Sequence, residues 1–301
     1  MFGGPEVLEP REVAEPHAGP GEVRVRVAAV GLNPMDPAIA SMPELAARFN
    51  ITVPSGFGYD VAGVVDEVGD GASGFLVGEQ VYGGVMERAA ADFVVVKTPP
   101  AAREALFQTP AGLSDDVAST LAVAGAAASA ALAAIELRLQ DTVLIGGAAG
   151  GVGVFAVQLA RLTGATVIGT ASDGTFPFLR ELGAEPVTYG PGLADRVRAL
   201  APDGITAAVD LFGTETIETA LALGVASERI AAIAAGPTPR GGARAVYGDD
   251  AEPDALPRIA DAIVAGKITV PIAATFPLEQ IREAVTLQAG RHVHGKIVIT
   301  L

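Results

Sequence analysis

The sequence predicts an α/β fold: a doubly wound parallel sheet set into a chain that opens with an all-β unit of short strands. Three observations predict it. Thr142–Ser172 reads as strand, glycine turn, helix and second strand in close succession. From Thr142 to about residue 265, apolar runs of strand length alternate with segments of helical period. The first hundred residues instead carry short strands punctuated by glycine turns, the pattern of a partly open barrel.

Within the central stretch, Val143-Leu144-Ile145 is a short apolar run suited to a buried parallel strand. Gly146 to Gly153 supply backbone with little side chain. Val154, Val157, Leu159, Ala160 and Leu162 then recur at helical spacing, Gly164 stops the helix, and Thr166-Val167-Ile168 restarts as β. Ala148-x-Gly150-x-x-Gly153 is the G-x-G-x-x-G pattern with alanine at its first position. Between a strand and a helix, this is a phosphate cradle: a pyrophosphate approaches bare backbone and meets the positive end of the helix. The bland alternative is an ordinary flexible turn.

Ahead of this stretch, Glu22–Val27 alternates as a half-buried strand does. Val61–Val68, Glu79–Tyr82 and Phe93–Val96 read as further strands, and Met35–Asn50 as a loop with a short helix. Ser114-Asp115-Asp116 looks like a helix cap with an acidic first turn before Val117–Val123, and a second helix runs over Ala126–Ile135. Beyond the centre, helices are expected at Phe176–Leu182, Leu193–Leu200, Thr216–Leu223 and Leu256–Ala265. The strands between them are Pro186–Tyr189, Ala207–Phe212 and Arg229–Ala234. A helix from Leu278 to Leu287 and the strand Lys296–Thr300 end the chain.

Composition narrows the chemistry. With no cysteine there is no disulfide, thiolate nucleophile or cysteine-held zinc. The net charge of −15 opposes binding to a phosphate backbone, so nucleic acid is an unfavourable partner. Neither a membrane span nor a secretory signal is legible, and a cytoplasmic protein is expected. Of the three histidines, His292 and His294 form a pair that lacks a third ligand, so no metal site is assigned.

Several segments together resemble the medium-chain dehydrogenase/reductase superfamily, in its zinc-free quinone-oxidoreductase-like branch. They are Gly3–Leu8, Gly19–Val23, Gly31-Leu32-Asn33-Pro34-Met35-Asp36, Gly58–Val65, Ala148–Gly153, Leu182-Gly183-Ala184 and Gly295–Val298. The resemblance implies a GroES-like catalytic domain over residues 1–108 and 267–301. It implies a Rossmann dinucleotide-binding domain over residues 109–266. It further implies hydride transfer from a nicotinamide cofactor, usually NADPH, to a quinone, enone or enoyl-type small molecule, and a homodimer formed through the Rossmann domains. Relatives begin with a further strand before the Gly3-Gly4 segment, for which Met1-Phe2 leaves no room.

The positions that match the zinc ligands of metal-dependent relatives hold Asn33 and Tyr59. Without zinc, enolate charge must be met by hydrogen-bond donors. The resemblance implies that Asn33 faces the nicotinamide, with Tyr59 a second donor. Their bland readings are a turn residue before Pro34 and a packed aromatic. For the cofactor, Ala149, Gly150, Gly151 and Val152 would cradle the pyrophosphate. Ser172 stands where an acidic residue would repel a 2′-phosphate, which favours NADPH, with NADH kept open by Asp173 beside it. Tyr189 would flank the adenosine half. Phe212, Gly213, Ala234 and Ala235 lie where the nicotinamide side should be, after the fourth and fifth strands. Lys296 either faces the cofactor or is solvated. Pro37-Ala38 and Gly125-Ala126-Ala127-Ala128-Ser129 stand where relatives carry bulkier or polar groups. A non-catalytic dinucleotide-binding sensor or scaffold of the same fold therefore remains the alternative.

Overall fold

The computed structural model describes residues 1–291 and 293–301. The chain divides into two compact units, Met1–Val123 with Ile272–Leu301, and Ala124–Pro271. These divisions fall after 123 and 271 rather than after 108 and 266. The physical reason lies in the residues past 108: the helix Asp115–Ala118 packs on the strands of the first unit, and the Gly31 Cα faces the Ser119 carbonyl so closely that a Cβ there would sit 2.1 Å from it.

The strands in chain order are β1 (Glu22–Leu32), β2 (Asp60–Val68), β3 (Gln80–Gly84), β4 (Phe93–Lys97) and β5 (Ala105–Gln108). In the second unit follow β6 (Thr142–Gly146), β7 (Thr166–Ala171), β8 (Glu185–Thr188), β9 (Ala207–Asp210), β10 (Ile230–Ala232) and β11 (Arg244–Ala245). The chain returns to the first unit with β12 (Ile272–Pro277) and β13 (Lys296–Thr300).

In the first unit β1 organises a seven-stranded sheet: six strands run in the order β12-β13-β1-β2-β3-β5, and β4 branches from β1. One edge of β1 pairs antiparallel with β2 along nearly its full length. The other edge is shared: Glu22–Arg26 pair with β4, and Ala29–Leu32 with β13. Two register shifts, at Arg24/Val25 and Val27/Ala29, bend the strand. The alternation read over Glu22–Val27 puts Val23, Val25 and Val27 in the core with Val61, Val65, Val81, Val94 and Val96.

The second unit is a six-stranded parallel sheet in the order β11-β10-β9-β6-β7-β8. The order runs outward from β6 through β7 and β8 on one side and through β9 and β10 on the other, so β6 and β9 flank the switch point, where such sheets take ligands at their carboxyl ends. Val143, Leu144 and Ile145 are fully buried, as a strand covered on both faces requires.

Several expected elements differ in extent. The central helix begins at Gly151, three residues before its apolar period becomes visible, with Gly150 as its N-cap. The helix expected over Val117–Val123 stops at Ala118, and the next runs over Ala122–Ala134 rather than from Ala126. Ser114 does cap the first of these, accepting from the Val117 amide at 3.5 Å. The short strands β5 and β11 and the exposed edge strand β12 were not anticipated. Two to six residues carry too little pattern, and their pairing is non-local. No helix of the described residues is long and apolar enough to cross a membrane.

Candidate functional site

The carboxyl end of the parallel sheet is built around the turn Gly146–Gly150. Gly147 adopts φ +70° and donates its amide to the Thr170 hydroxyl at the end of β7, at 3.1 Å. A Cβ on Gly146 would lie 2.0 Å from Thr216 Oγ1, and one on Gly153 would lie 2.4 Å from the carbonyl oxygens of both Ala148 and Gly147. Glycine at these two positions is therefore a packing requirement. Gly150 differs: its missing Cβ would meet only the Gly147 carbonyl, at 3.4 Å, so its surface is open. No side chain caps the helix Gly151–Leu162. Its first amides have no intrahelical acceptor and form a bare donor surface with a positive dipole end. The bare turn and uncapped helix start fit a pyrophosphate, so Ala149, Gly150, Gly151 and Val152 are suited to hold one.

Around that turn, the other residues predicted to touch a cofactor gather at the ends of neighbouring strands. Ser172 follows β7, is exposed, and shares a 2.9 Å hydrogen bond with Thr175. Asp173, next to it, accepts from the Thr188 hydroxyl at the end of β8. Tyr189 follows Thr188 and is exposed, as is Phe212 after β9. Gly213, Ala234 and Ala235 follow β9 and β10. Sequence reading missed Asp210, the buried last residue of β9. Its Oδ1 accepts from the Phe212 and Gly213 amides at 3.0 and 2.7 Å, and its Oδ2 from the Thr216 amide at 3.0 Å. The available signal was an acidic residue closing an apolar strand.

The first unit contains a second polar centre, also buried. Lys296 Nζ donates to Asn33 Oδ1 at 2.6 Å and lies 3.7 Å from Asp60 Oδ2. Asn33 Nδ2 donates to Asp60 Oδ2 at 3.0 Å and to the Gly31 carbonyl at 3.3 Å, and the Asn33 amide donates to Asp36 Oδ2 at 2.7 Å. Asp60 Oδ1 accepts the Val123 amide at 2.8 Å. All four side chains are at most 2% exposed. Lys296 is thus not solvated: β13 carries it into the interior, where Asn33 Oδ1 and the Asp60 carboxylate receive its ammonium. Asn33 is bonded at both of its amide hydrogens and its oxygen, more than a turn residue before proline needs.

Burial dominates the ionisation of this centre. It pushes the Asp60 carboxyl up to about 6, against the lowering pull of Lys296 and Asn33. It raises Asp36 well above the ordinary range, with Asp60 and Glu87 adding repulsion, and it lowers Lys296. Glu87, between β3 and β4, is pushed to about 7 by burial alone, and its Oε1 has no hydrogen-bond partner. Asp36 Oδ1 is likewise unbonded. Tyr59 is half-buried. Its ring covers Gly84, where a Cβ would lie 2.0 Å from it, and its hydroxyl donates to the Arg103 carbonyl at 2.7 Å.

Among the described residues, no group of three His, Asp or Glu side chains could hold a metal ion. His292, one half of the histidine pair, lies outside the described residues.

A bulged, mostly antiparallel sheet and a six-stranded parallel sheet with a bare glycine turn at its switch point fit a two-domain dehydrogenase or reductase. The comparisons specify it further. Residues 19–131 match the family model described as alcohol dehydrogenase GroES-like domain, and residues 151–246 match zinc-binding dehydrogenase. A quinone oxidoreductase from Pseudomonas aeruginosa is 33% identical over 324 residues, spanning 99% of this chain and 97% of the relative. The NADPH-dependent alkenal/one oxidoreductase of Arabidopsis thaliana chloroplasts is 28% identical, over 99% of this chain and 77% of that protein. The structure of the quinone oxidoreductase from Coxiella burnetii superposes with a TM-score of 0.88 at 28% identity, covering 100% of this chain and 97% of the other. The chain belongs to the medium-chain dehydrogenase/reductase superfamily, among the quinone oxidoreductase-like proteins.

Proposed function

We propose that this protein is an NADPH-dependent, zinc-independent oxidoreductase that reduces a quinone, enone or enoyl-type small molecule by hydride transfer. The observation that carries this reading is the bare turn at Gly150, opening an uncapped helix at the switch point of the parallel sheet. The names of the relatives, quinone oxidoreductase and NADPH-dependent alkenal/one oxidoreductase, give the acceptor class. The absence of cysteine supports zinc independence.

In this reading Ala149–Val152 hold the pyrophosphate through backbone amides, and Ser172 and Tyr189 contact the adenosine half. Phe212, Gly213, Ala234 and Ala235 line the nicotinamide side. Bound there, the cofactor supplies the hydride. Tyr59, half-buried, donates its hydroxyl hydrogen to the Arg103 carbonyl, and exchange of that carbonyl for the substrate oxygen makes it the donor for charge developing there. Asn33 is a positioning residue, because its amide hydrogens are already committed to Asp60 and Gly31. Lys296 belongs with Asn33 in the buried centre of the first unit and holds Asp60, rather than contacting the cofactor. The protein is taken to act in the cytoplasm as a homodimer joined through the dinucleotide units, as the family resemblance implies.

One observation favours NADH instead. The Asp173 carboxylate is oriented by the Thr188 hydroxyl at the end of the adjacent strand, and a fixed acid just past β7 suits a ribose 2′-hydroxyl and repels a 2′-phosphate. Titration of the purified protein with NADPH and NADH, followed by nicotinamide fluorescence, separates the two readings. The lack of tryptophan keeps the protein background low. Tighter NADPH binding and oxidation of NADPH by quinones or enones is the expected result. Tighter NADH binding assigns the cofactor choice to Asp173. Binding without turnover on any quinone, enone or enoyl acceptor makes the protein a dinucleotide-binding sensor or scaffold. Binding of neither removes the reading.

A further inference from the structure

The switch point contains a buried carboxylate: Asp210 is 2% exposed, and its side-chain bonds go to backbone amides. Its place in the sheet is central. Asp210 lies in register with Gly146 of β6 on one side and Ala232 of β10 on the other. It therefore closes the middle of the three strands whose following loops carry the glycine turn, Phe212-Gly213 and Ala234-Ala235.

The connections run in three directions. Through Oδ1, Asp210 holds the Phe212 and Gly213 amides and folds the chain back over the strand end. Through Oδ2, it holds the Thr216 amide, and the Thr216 side chain packs on Gly146, where a Cβ would strike Oγ1 at 2.0 Å. Its own carbonyl accepts the Ile233 amide at 3.1 Å, at the root of the loop after β10, while the Leu211 amide donates to the Gly146 carbonyl at 3.2 Å. Phe212 Cβ in turn stands 3.3 Å from the position a Gly147 Cβ would take. The loop 211–213 is thus held against the glycine turn by the anchored carboxylate together with the Leu211–Gly146 backbone bond. Three charge-assisted bonds, from the Phe212, Gly213 and Thr216 amides, tie down a loop whose Phe212 side chain is 61% exposed.

We infer that Asp210 is a positioning residue for the cofactor: it sets the loop Leu211–Gly213 so that the nicotinamide half of a bound dinucleotide meets a preformed wall. The inference rests on the proposed binding of a nicotinamide dinucleotide at the carboxyl end of this sheet. The adenosine half, at the ends of β7 and β8, is independent of Asp210, because its side chain makes no bond to those loops. Removing the carboxylate leaves up to three amides without their acceptor and frees the loop, so the affinity lost is that of the nicotinamide half.

The test compares wild type with Asp210→Asn and Asp210→Ala, folded by circular dichroism, for binding of NADPH, of NADH and of the adenosine fragments 2′,5′-ADP and AMP by calorimetry. The expected result is that both variants bind the better dinucleotide about tenfold or more weakly, the size of one lost charge-assisted hydrogen bond. The fragments keep their wild-type affinity, and the asparagine variant, with one oxygen left, loses less than the alanine variant. Unchanged dinucleotide affinity, or an equal loss for the fragments, overturns the inference. A wild type that binds fragments and dinucleotides equally also overturns it, because no nicotinamide contact then exists. A wild type that binds none of them overturns the cofactor reading itself. Should both variants fail to fold, amide hydrogen exchange on the ligand-free wild type decides: slow exchange at Phe212 and Gly213 supports the anchored loop, and free exchange there removes it.

Discussion

Glu87 sits in the first unit with 4% of its surface exposed, a left-handed backbone at φ +51°, and a carboxyl oxygen that nothing bonds. Burial raises its carboxyl to about 7. An acid whose folded pKa is raised binds more protons in the native state than in the unfolded one, so its contribution falls as pH climbs from the unfolded value to the folded one. For Glu87 that window runs from about 4.5 to about 7. Glu87→Gln, of equal size and neutral, is expected to gain stability over wild type across that window, by roughly 1–2 kcal/mol at pH 8 and little at pH 4. Urea midpoints at the two pH values measure it, and a pH-independent difference would show that Glu87 does not titrate in this way. Lys296 gives the opposite case. Lys296→Met strands the Asp60 carboxyl, which is 0% exposed, and should cost about 3 kcal/mol. Adding Asp60→Asn is expected to recover much of that loss in a double-mutant cycle. Asn33 and Lys296 were visible in the sequence as marked positions. Their mutual bond, across 263 residues, was not, because nothing local encodes it.

At the scale of the element, the glycine turn separates two kinds of glycine that look alike in sequence. Gly153→Ala drives a Cβ into two carbonyl oxygens and should destabilise the second unit by about 2–3 kcal/mol, read as a lowered melting temperature. Gly150→Ala meets only ordinary contact, and φ −77° accepts alanine. It is expected to fold as wild type while binding NADPH at least about tenfold more weakly, because the methyl group covers the surface on which the pyrophosphate rests. Equal NADPH affinity in this variant would mean that the phosphates lie elsewhere. The pattern Ala148-x-Gly150-x-x-Gly153 pointed to the turn from sequence alone. It did not reveal that the helix starts at Gly151, since glycine has no side chain to display a period.

At the scale of the whole molecule, a ligand that binds only the native form of one unit stabilises that unit by mass action, by about 2.7 kcal/mol at a hundred times its dissociation constant. Hydrogen exchange with saturating NADPH is therefore expected to slow across Ala124–Pro271, at the strands β6, β7 and β9 above all. Protection confined to Met1–Val123 would place the cofactor on the wrong unit.

What the sequence determined by itself was the kind of unit each segment builds. Alternation of valines marked β1 as half-buried, an unbroken apolar run marked the central parallel strand β6, and Gly183, at φ +89°, ended its helix where expected. These are local effects of side-chain periodicity and backbone freedom, legible within ten residues. Only the tertiary structure decided which charges meet. Strand pairing brings β13 beside β1 and so carries Lys296 to the bonded pair Asn33 and Asp60, and the parallel register sets Asp210 between Gly146 and Ala232. Residues at such separations become neighbours only after the sheet has closed the loops between them. Burial, which follows from that closure, then raises the Asp36 and Asp60 carboxyls and lowers Lys296.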